Sequence, residues 1–402
     1  MSVHQNCNRT VNNTVIPANQ VGSQGDRGAT RDGFLDSWRG IFHIVMLIDH
    51  MPIVFPGTFA LLTVAFSPFG YVSVAEGFVF LSGFVSALVY TRIGRERGNR
   101  AMLHKILVRA RDIYLCYVLA VVALLALAKA VGVGALMWGS WTDLVFLPLP
   151  VASAKVAALL NQPTFLEILP MYALFLLVTP LILQQLEQGR YVVVAVVSIS
   201  IWIAAQYGIR GQLLRLWPHN IETQLGYFNS WAWQILFVSG LICGHKTYTC
   251  KTRWLPTDWK LPAVAYVFAL ILFALRHNLL GMNVNYRLTD RALLGPLRLL
   301  NFACITFLIC SARGLIEKCI AWRGFALLSR HSLQVFAFHL FPFYIVAVLV
   351  GSRTYLPVWA QLLAIGFCII SLFVIALLAK LFKDARLRLF TKRQAVSALP
   401  SR

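Results

Sequence analysis

The sequence is short of acidic residues and of charged residues in general. Only 15 Asp and Glu stand against 36 Lys and Arg in 402 residues, and charged residues make up 13% of the chain against 58% hydrophobic residues. A soluble globule this apolar would lack the polar residues needed to cover its surface. The composition, with a mean hydropathy of +0.70, therefore predicts an all-α, polytopic integral membrane protein.

Paired cysteines and a signal peptide are also missing. The eight cysteines are scattered without a CxxC pair, so neither a metal site nor a disulfide framework is indicated. Residues 1–31 are polar and lack the apolar core of a signal peptide, which predicts a disordered cytoplasmic tail. We expect a transmembrane domain at 32–382 and a basic cytoplasmic tail at 383–402.

Apolar segments fill most of the remaining chain. Ten are predicted, at 36–55, 73–91, 112–131, 167–186, 191–207, 230–245, 260–277, 296–312, 331–350 and 357–380. If the N-terminus is cytoplasmic, 27 of the Lys and Arg residues fall in inner regions and 9 in outer regions. The positive-inside rule therefore predicts about ten transmembrane helices with both termini in the cytoplasm. Cations between apolar segments favour contact with membrane lipids over nucleic-acid binding.

The first apolar segment carries an unusual number of ionisable residues. Four of them fall within about 60° of one another on a helix, and these are Asp36, Arg39, His43 and His50. The rise from Arg39 to His50 is roughly 16 Å, about half of a membrane core. Ionisable groups at that depth indicate a functional site. His50, with Asp49 beside it in sequence, is the candidate general base; the alternative is a histidine that caps a kink or bonds a neighbouring helix.

Later segments begin with further polar residues. Glu76 enters the second segment on the outer side, where it can orient an acceptor hydroxyl or stabilise a histidine cation. Arg109 and Arg111 open the third segment on the inner side and can neutralise phosphates. Positive-inside anchoring explains such a basic cluster equally well.

Three more stretches hold candidate substrate-binding residues. Glu167 starts the fourth segment on the outer side. The outer loop near 276–298 carries four arginines against the positive-inside bias, among them Arg287, which are either functional or ordinary surface charges. Arg330 and His331 open the ninth segment, with His339 one to two turns deeper, and act as a cytoplasmic anchor or as part of the same polar centre.

The pattern Asp36-x-x-Arg39-Gly40, with His50 eleven residues after the arginine, resembles the membrane family known as acyltransferase type three. Further stretches are similar to its OpgC branch, the succinyltransferases that act on osmoregulated periplasmic glucans. These stretches occur in order along residues 32 to about 380, at 48–52, 75–83, 109–114, 168–172 and 329–336.

The resemblance implies transfer of a succinyl group from cytoplasmic succinyl-CoA to a glucan hydroxyl, in the inner membrane of a bacterium and without a bound cofactor. His50 is then the catalytic histidine, Arg39 its motif partner, and Arg109 and Arg111 contact the CoA phosphates. A succinyl-selective site needs a cation for the free carboxylate, and Arg287 or Arg291 of the outer loop is expected to supply it. No Ser or Cys neighbours His50 in sequence, so we expect direct transfer without an acyl-enzyme.

Other functions remain open at this point. An acyltransferase with another donor or acceptor, such as an acetyl group, a surface polysaccharide or a lipid, would share the same residues. A proton-coupled transporter could use Asp49, His50 and Glu76 as a relay, but no internal repeat supports it. A lipid-linked glycosyltransferase would want acidic residues in the first outer loop, and 54–72 has none. The sequence does not determine the oligomeric state.

Overall fold

Helices make up almost all of the ordered structure. The computed structural model describes residues 32–54, 69–132, 139–214, 224–250, 258–351 and 356–397. Within these ranges no strand forms, and one isolated bridge joins Asn161 to Gln224. The predicted all-α class is confirmed. The predicted tail at 1–31 and the last residues of the predicted tail at 383–402 lie outside the described residues.

The helices in the described ranges follow one another with short connections. They are α1 (Gly33–Val54), α2 (Val74–Arg97), α3 (Asn99–Val131), α4 (Thr142–Val145), α5 (Leu149–Ala157), α6 (Ile168–Glu187), α7 (Tyr191–Gln206), α8 (Ile209–Leu214), α9 (Ser230–Cys250), α10 (Lys260–Arg276), α11 (Tyr286–Thr289), α12 (Pro296–Ser311), α13 (Arg313–Ile320), α14 (Arg323–Arg330), α15 (Ser332–Phe338), α16 (Leu340–Val350) and α17 (Val358–Ser397).

Five helical segments in the described residues are long and apolar enough to cross a membrane. They are α2, α3, α6, the α15–α16 pair and α17 as far as Ala385. The α12–α13 pair adds a sixth if its 82° bend is a break within one span. The structure thus supports five or six spans, and the ten spans and cytoplasmic termini remain predictions.

Large apolar side chains cover the outside of these helices. Val192 on α7, Leu349 on α16 and Phe382 on α17 are 76%, 75% and 74% exposed. Soluble monomers rarely expose extended apolar patches, because such surface is unfavourable in water. The exposed apolar faces are therefore those expected of a membrane protein whose helices face lipid.

The helix α1 packs against α2, α13, α14, α15 and α17. At its start the Asp32 side chain accepts a hydrogen bond from the Phe34 backbone N–H at 3.0 Å, which satisfies one free amide of the first turn. Gly40 lies against the backbone of Phe325 in α14, and a Cβ atom there would collide with the Phe325 carbonyl. Gly40 therefore permits the close approach that brings one face of α1 to the segment 329–339.

Candidate active site

Three polar side chains of α1 each meet a side chain of the segment 329–339. All three of the α1 residues are buried, and they lie seven residues apart along the helix. We call the three contacts the polar ladder, and its rungs are Asp36 Oδ1 to Ser329 Oγ at 2.8 Å, His43 Nε2 to Ser332 Oγ at 2.9 Å and His50 Nδ1 to His339 Nε2 at 3.2 Å. The ionisable stripe read from the sequence therefore faces one neighbouring segment.

The rung formed by His50 and His339 lies in an aromatic enclosure. His339 is fully buried and His50 is 9% exposed. The Phe165 ring packs on His50 with centroids 4.1 Å apart, and Phe343 is 6.4 Å away. His339 Nδ1 lies 2.5 Å from the Phe336 carbonyl oxygen. Among the described residues, His339 is the one hydrogen-bonding partner of His50, so the two imidazoles form an isolated pair.

A partly open cleft lies beside the polar ladder, and Ser332 of the ladder lines it. Its two cationic residues are Arg39 of α1 and Arg109 of α3. Most of the lining is apolar and comes from α2, α6 and α15, namely Phe78, Val79, Ile168, Leu169, Met171, Phe175, Leu333 and Phe336. Such a cleft suits a molecule with an anionic end and a largely apolar arm.

Two phenylalanines that line the cleft also contact histidines of the ladder. Phe78 and Phe336 line the cleft and contact each other edge to face at 5.7 Å. The His43 ring lies 4.9 Å from Phe78, and the His339 ring lies 5.5 Å from Phe336. We call this pair the aromatic wall, and each of its rings lines the cleft and contacts a buried histidine of the ladder.

Glu76 holds the start of α2 to the outer loop. Its carboxylate is fully buried and accepts from Arg298 Nη1 at 2.6 Å. It also accepts hydrogen bonds from the backbone and side chain of Ser73, which caps α2. The Ser73 hydroxyl in turn accepts from Arg291 Nη2 at 3.1 Å. The structure thus places Glu76 in an ion-paired cap.

Arg291 interacts electrostatically with several buried or half-buried ionisable groups of the site. Its charge acts on Asp49, His50 and Glu167. Its Nε–H is buried and has no hydrogen-bonding partner among the described residues. This arginine therefore offers an unused donor close to the histidine pair.

Glu167, which precedes the span α6, is 5% exposed. Burial raises the pKa of this carboxyl to about 8, and the opposing effects of Arg291 and of backbone hydrogen bonds are smaller. Its Oε2 is buried and has no partner in the described part of the chain. Burial thus favours the protonated form of Glu167, in which the carboxyl can donate a hydrogen bond.

Of the eight residues predicted from the sequence as substrate-binding, Arg109 alone lines the cleft. Asp36 and His43 belong to the polar ladder, Glu167 precedes α6, and the other four lie elsewhere. Arg111 is exposed and pairs with the adjacent Asp112 at 3.0 Å. Arg287 and Arg330 are exposed. His331 is buried, and the nearby charges that act on it include Lys383 and Arg330. These four positions stand apart from the His50–His339 pair.

Sequence reasoning gave no role to several residues that complete the site. His339 was placed only as a neighbour of His331, and Ser329 and Ser332 were given no function of their own. A usable signal existed, because the step from His43 to His50 is seven residues and so is the step from Ser332 to His339. In the described residues, no group of three or more His, Cys, Asp or Glu is placed to hold a metal ion.

Comparison with known proteins agrees with the resemblance read from the sequence. The family model for the OpgC protein matches residues 31–384, which is most of the chain. No curated protein and no solved structure gave a match. The matched region contains α1, the cleft and the complete polar ladder. The chain therefore belongs to the OpgC protein family and is an acyltransferase-like membrane protein.

Proposed function

We propose that the protein transfers a succinyl group from cytoplasmic succinyl-CoA to hydroxyls of periplasmic osmoregulated glucans, with His50 as the general base. One observation carries this proposal: a buried histidine pair adjoins, through Phe336, a cleft that presents Arg39 and Arg109. Membership in the OpgC protein family supports the reaction class. The donor, the acceptor and the role of His50 are our inference.

The cleft fits the two parts of an acyl-CoA. Arg39 and Arg109 are the groups proposed to meet the CoA phosphates, because arginine binds phosphate oxygens through paired N–H donors. The apolar lining would hold the pantetheine arm. The thioester must then pass the Phe78–Phe336 contact to reach His50, so these rings have to turn when the donor binds.

The reaction is a direct displacement at the thioester carbonyl. A glucan hydroxyl gives its proton to His50 Nε2 as its oxygen bonds to the carbonyl carbon. The tetrahedral intermediate then breaks the carbon–sulfur bond, and protonated His50 returns the proton to the CoA thiolate. The products are a succinyl ester and CoA thiol. The only hydrogen-bonding partner of His50 among the described residues is an imidazole rather than a hydroxyl or thiol, which supports transfer without an acyl-enzyme.

The free carboxylate of the succinyl group needs a cation near the reacting carbon. Of the two arginines that the sequence suggests for this role, Arg287 is exposed. Arg291 of the same loop has a buried, unused Nε–H among the described residues, and its charge acts on His50. We therefore assign the carboxylate contact to Arg291.

The glucan is proposed to approach His50 from the side of Asp49 and Glu167. Sugars are bound through hydroxyl groups, and these two residues supply an acceptor and a donor near Arg291. Glu76 is already engaged by Arg298 and Ser73, so its part in this account is to hold the outer loop in place.

The test is a transfer assay with purified protein in lipid vesicles. Labelled succinyl-CoA and neutral periplasmic glucan are supplied, and ester formation and CoA release are measured together. We expect equal amounts of both products, with a lower rate from acetyl-CoA. If CoA release needs a different acyl group or acceptor, the substrate assignment is wrong. If no acyl-CoA is consumed with any acceptor, the enzyme proposal is wrong and a proton-coupled transporter becomes the favoured function.

A further inference from the structure

We propose that His339 is a positioning residue that fixes the tautomer of His50 and leaves His50 Nε2 unprotonated. The proposal rests on the proposed acyl transfer, in which that nitrogen takes the hydroxyl proton. It follows from two contacts, the 3.2 Å distance between His50 Nδ1 and His339 Nε2 and the 2.5 Å distance between His339 Nδ1 and the Phe336 carbonyl oxygen.

The direction of the hydrogen bonds is set at the Phe336 carbonyl. A carbonyl oxygen can only accept, so His339 Nδ1 must carry the hydrogen. Both rings are buried, and a charge on either of two touching imidazoles in an apolar site is unfavourable, so the resting pair is neutral. A neutral His339 protonated at Nδ1 has a bare Nε2, which can only accept. His50 Nδ1 must then be the donor, and His50 Nε2 keeps its lone pair.

This arrangement suits a base at each stage of the reaction. Before proton transfer, the lone pair of His50 Nε2 is available to the acceptor hydroxyl. After transfer, the His50 imidazolium keeps its Nδ1–H on His339 Nε2, which stabilises the positive charge in a buried site. The opposite tautomer of His50 would present an N–H to the hydroxyl and could not act as the base.

The contact of His43 with Ser332 shows why a hydroxyl in the place of His339 would not fix the tautomer of His50. His43 meets the hydroxyl of Ser332 at 2.9 Å, and a hydroxyl both donates and accepts. That contact leaves either tautomer of His43 possible. His339 differs because its Nδ1–H donates to the Phe336 carbonyl, so its Nε2 can only accept a hydrogen bond. The tautomer is therefore specified at the rung proposed for catalysis and is left open at the rung beside it.

The kinetic test compares His339→Leu with His339→Gln in the reconstituted full-length protein. Leucine cannot accept from His50, whereas the glutamine amide oxygen can. We expect His339→Leu to lower kcat by about 100-fold, with the KM for succinyl-CoA changed less than about threefold, as for loss of acid–base positioning. His339→Gln should recover at least about tenfold of that loss. Unchanged kcat in His339→Leu, or a Gln variant as slow as the Leu variant, would overturn the proposal.

The matched control is a buried histidine away from the cleft. His245 of α9 is 1% exposed, and its Nδ1 lies 2.8 Å from the Tyr191 hydroxyl on α7. His245→Leu removes a buried interhelical histidine contact of similar size, and we expect kcat within about twofold of wild type, because this contact lies outside the acid–base site. A loss equal to that of His339→Leu would assign the effect to general packing and would contradict the proposal.

A spectroscopic readout separates this proposal from the proposed function. Nitrogen NMR of ¹⁵N-histidine-labelled protein reports which ring nitrogen is protonated, and His50 is assigned from the signals missing in His50→Gln. We expect the Nδ1–H form in wild type and in His339→Gln, and a mixture in His339→Leu. The Nε2–H form in wild type would refute the proposal whatever the activity. The expected tautomer without succinyl transfer would refute the proposed function and leave this structural assignment standing.

Discussion

His50 Nδ1 lies 3.2 Å from His339 Nε2, a contact that joins residues 289 positions apart in the chain. This contact locates the proposed proton transfer at the two imidazoles, because neither has another polar side-chain partner in the described residues. The cleft that holds Arg39 and Arg109 is also lined by Phe336, whose ring contacts His339.

Substitutions of Arg109 and Arg111 should have different effects on the KM for succinyl-CoA, although the two residues are only two positions apart. Arg109 lines the cleft, whereas Arg111 is exposed and pairs with Asp112. Arg109→Gln should raise the KM for succinyl-CoA by about tenfold or more, as expected for a lost charge-assisted hydrogen bond. Arg111→Gln should change it by less than about twofold, since exposed pairs contribute little. Steady-state kinetics with varied succinyl-CoA measures both, and equal effects would contradict the placement of the donor.

Arg291 should determine selectivity for the succinyl group. Arg291→Gln removes the cation proposed for the free carboxylate, so the ratio of succinyl to acetyl transfer should fall about tenfold. The matched variant is Arg287→Gln in the same loop, whose side chain is exposed. Competition between labelled succinyl-CoA and acetyl-CoA gives the ratio for each variant. An unchanged ratio in Arg291→Gln, or a fall in Arg287→Gln alone, would reverse the assignment.

The ion pair of Glu76 and Arg298 should contribute to the folding stability of the protein. Glu76 is fully buried and Arg298 is 11% exposed at the side chain, so Glu76→Ala leaves a buried cation without its partner. We expect the free energy of unfolding to fall by about 3 kcal/mol. The exposed pair of Arg92 and Glu96 is the comparison, and Glu96→Ala should cost less than about 1 kcal/mol. Unfolding in detergent, monitored by tryptophan fluorescence, measures the loss of unfolding free energy in both variants. Equal losses would show that the buried pair contributes no more stability than the exposed one.

Gly40 should be intolerant of a side chain. Glycine to alanine in a helix interior normally gains up to about 1 kcal/mol. At Gly40 the added Cβ meets the Phe325 backbone, so Gly40→Ala should lower the melting temperature and the transfer rate. Gly366 in α17 has nothing within 4 Å of the corresponding position. Gly366→Ala is therefore the control, and a melting temperature that rises equally in both variants would show that α1 and α14 are not closely packed.

The helical class and the stripe on α1 were predictable because they depend on local composition and on the 3.6-residue period. Asp36, His43 and His50 share one face of α1 by that period alone. The number of spans was harder to predict from hydropathy. Helices α7 and α10 have only 16 and 17 residues, which is short for a membrane crossing. An apolar segment in the sequence therefore did not always become a helix long enough to span.

The partners of α1 were not predictable by local rules. Ser329 and His339 lie in a distant segment, and only packing brings them to α1. The choice between Arg287 and Arg291 likewise depends on how the outer loop folds over α2, since both carry the same charge. The equal seven-residue spacing in the two segments was the one sequence feature that pointed to the ladder.

The most direct test of the central claim is the mass and charge of periplasmic glucans from cells that lack this protein. Such cells are complemented with wild type, with His50→Ala or with the control His245→Leu, at equal membrane abundance. The account predicts that wild type and the control restore a succinyl mass increment and the accompanying negative charge, and that His50→Ala does not. Succinylated glucans from His50→Ala cells would contradict the assignment of the base, and unmodified glucans from wild-type cells would contradict the proposed acceptor.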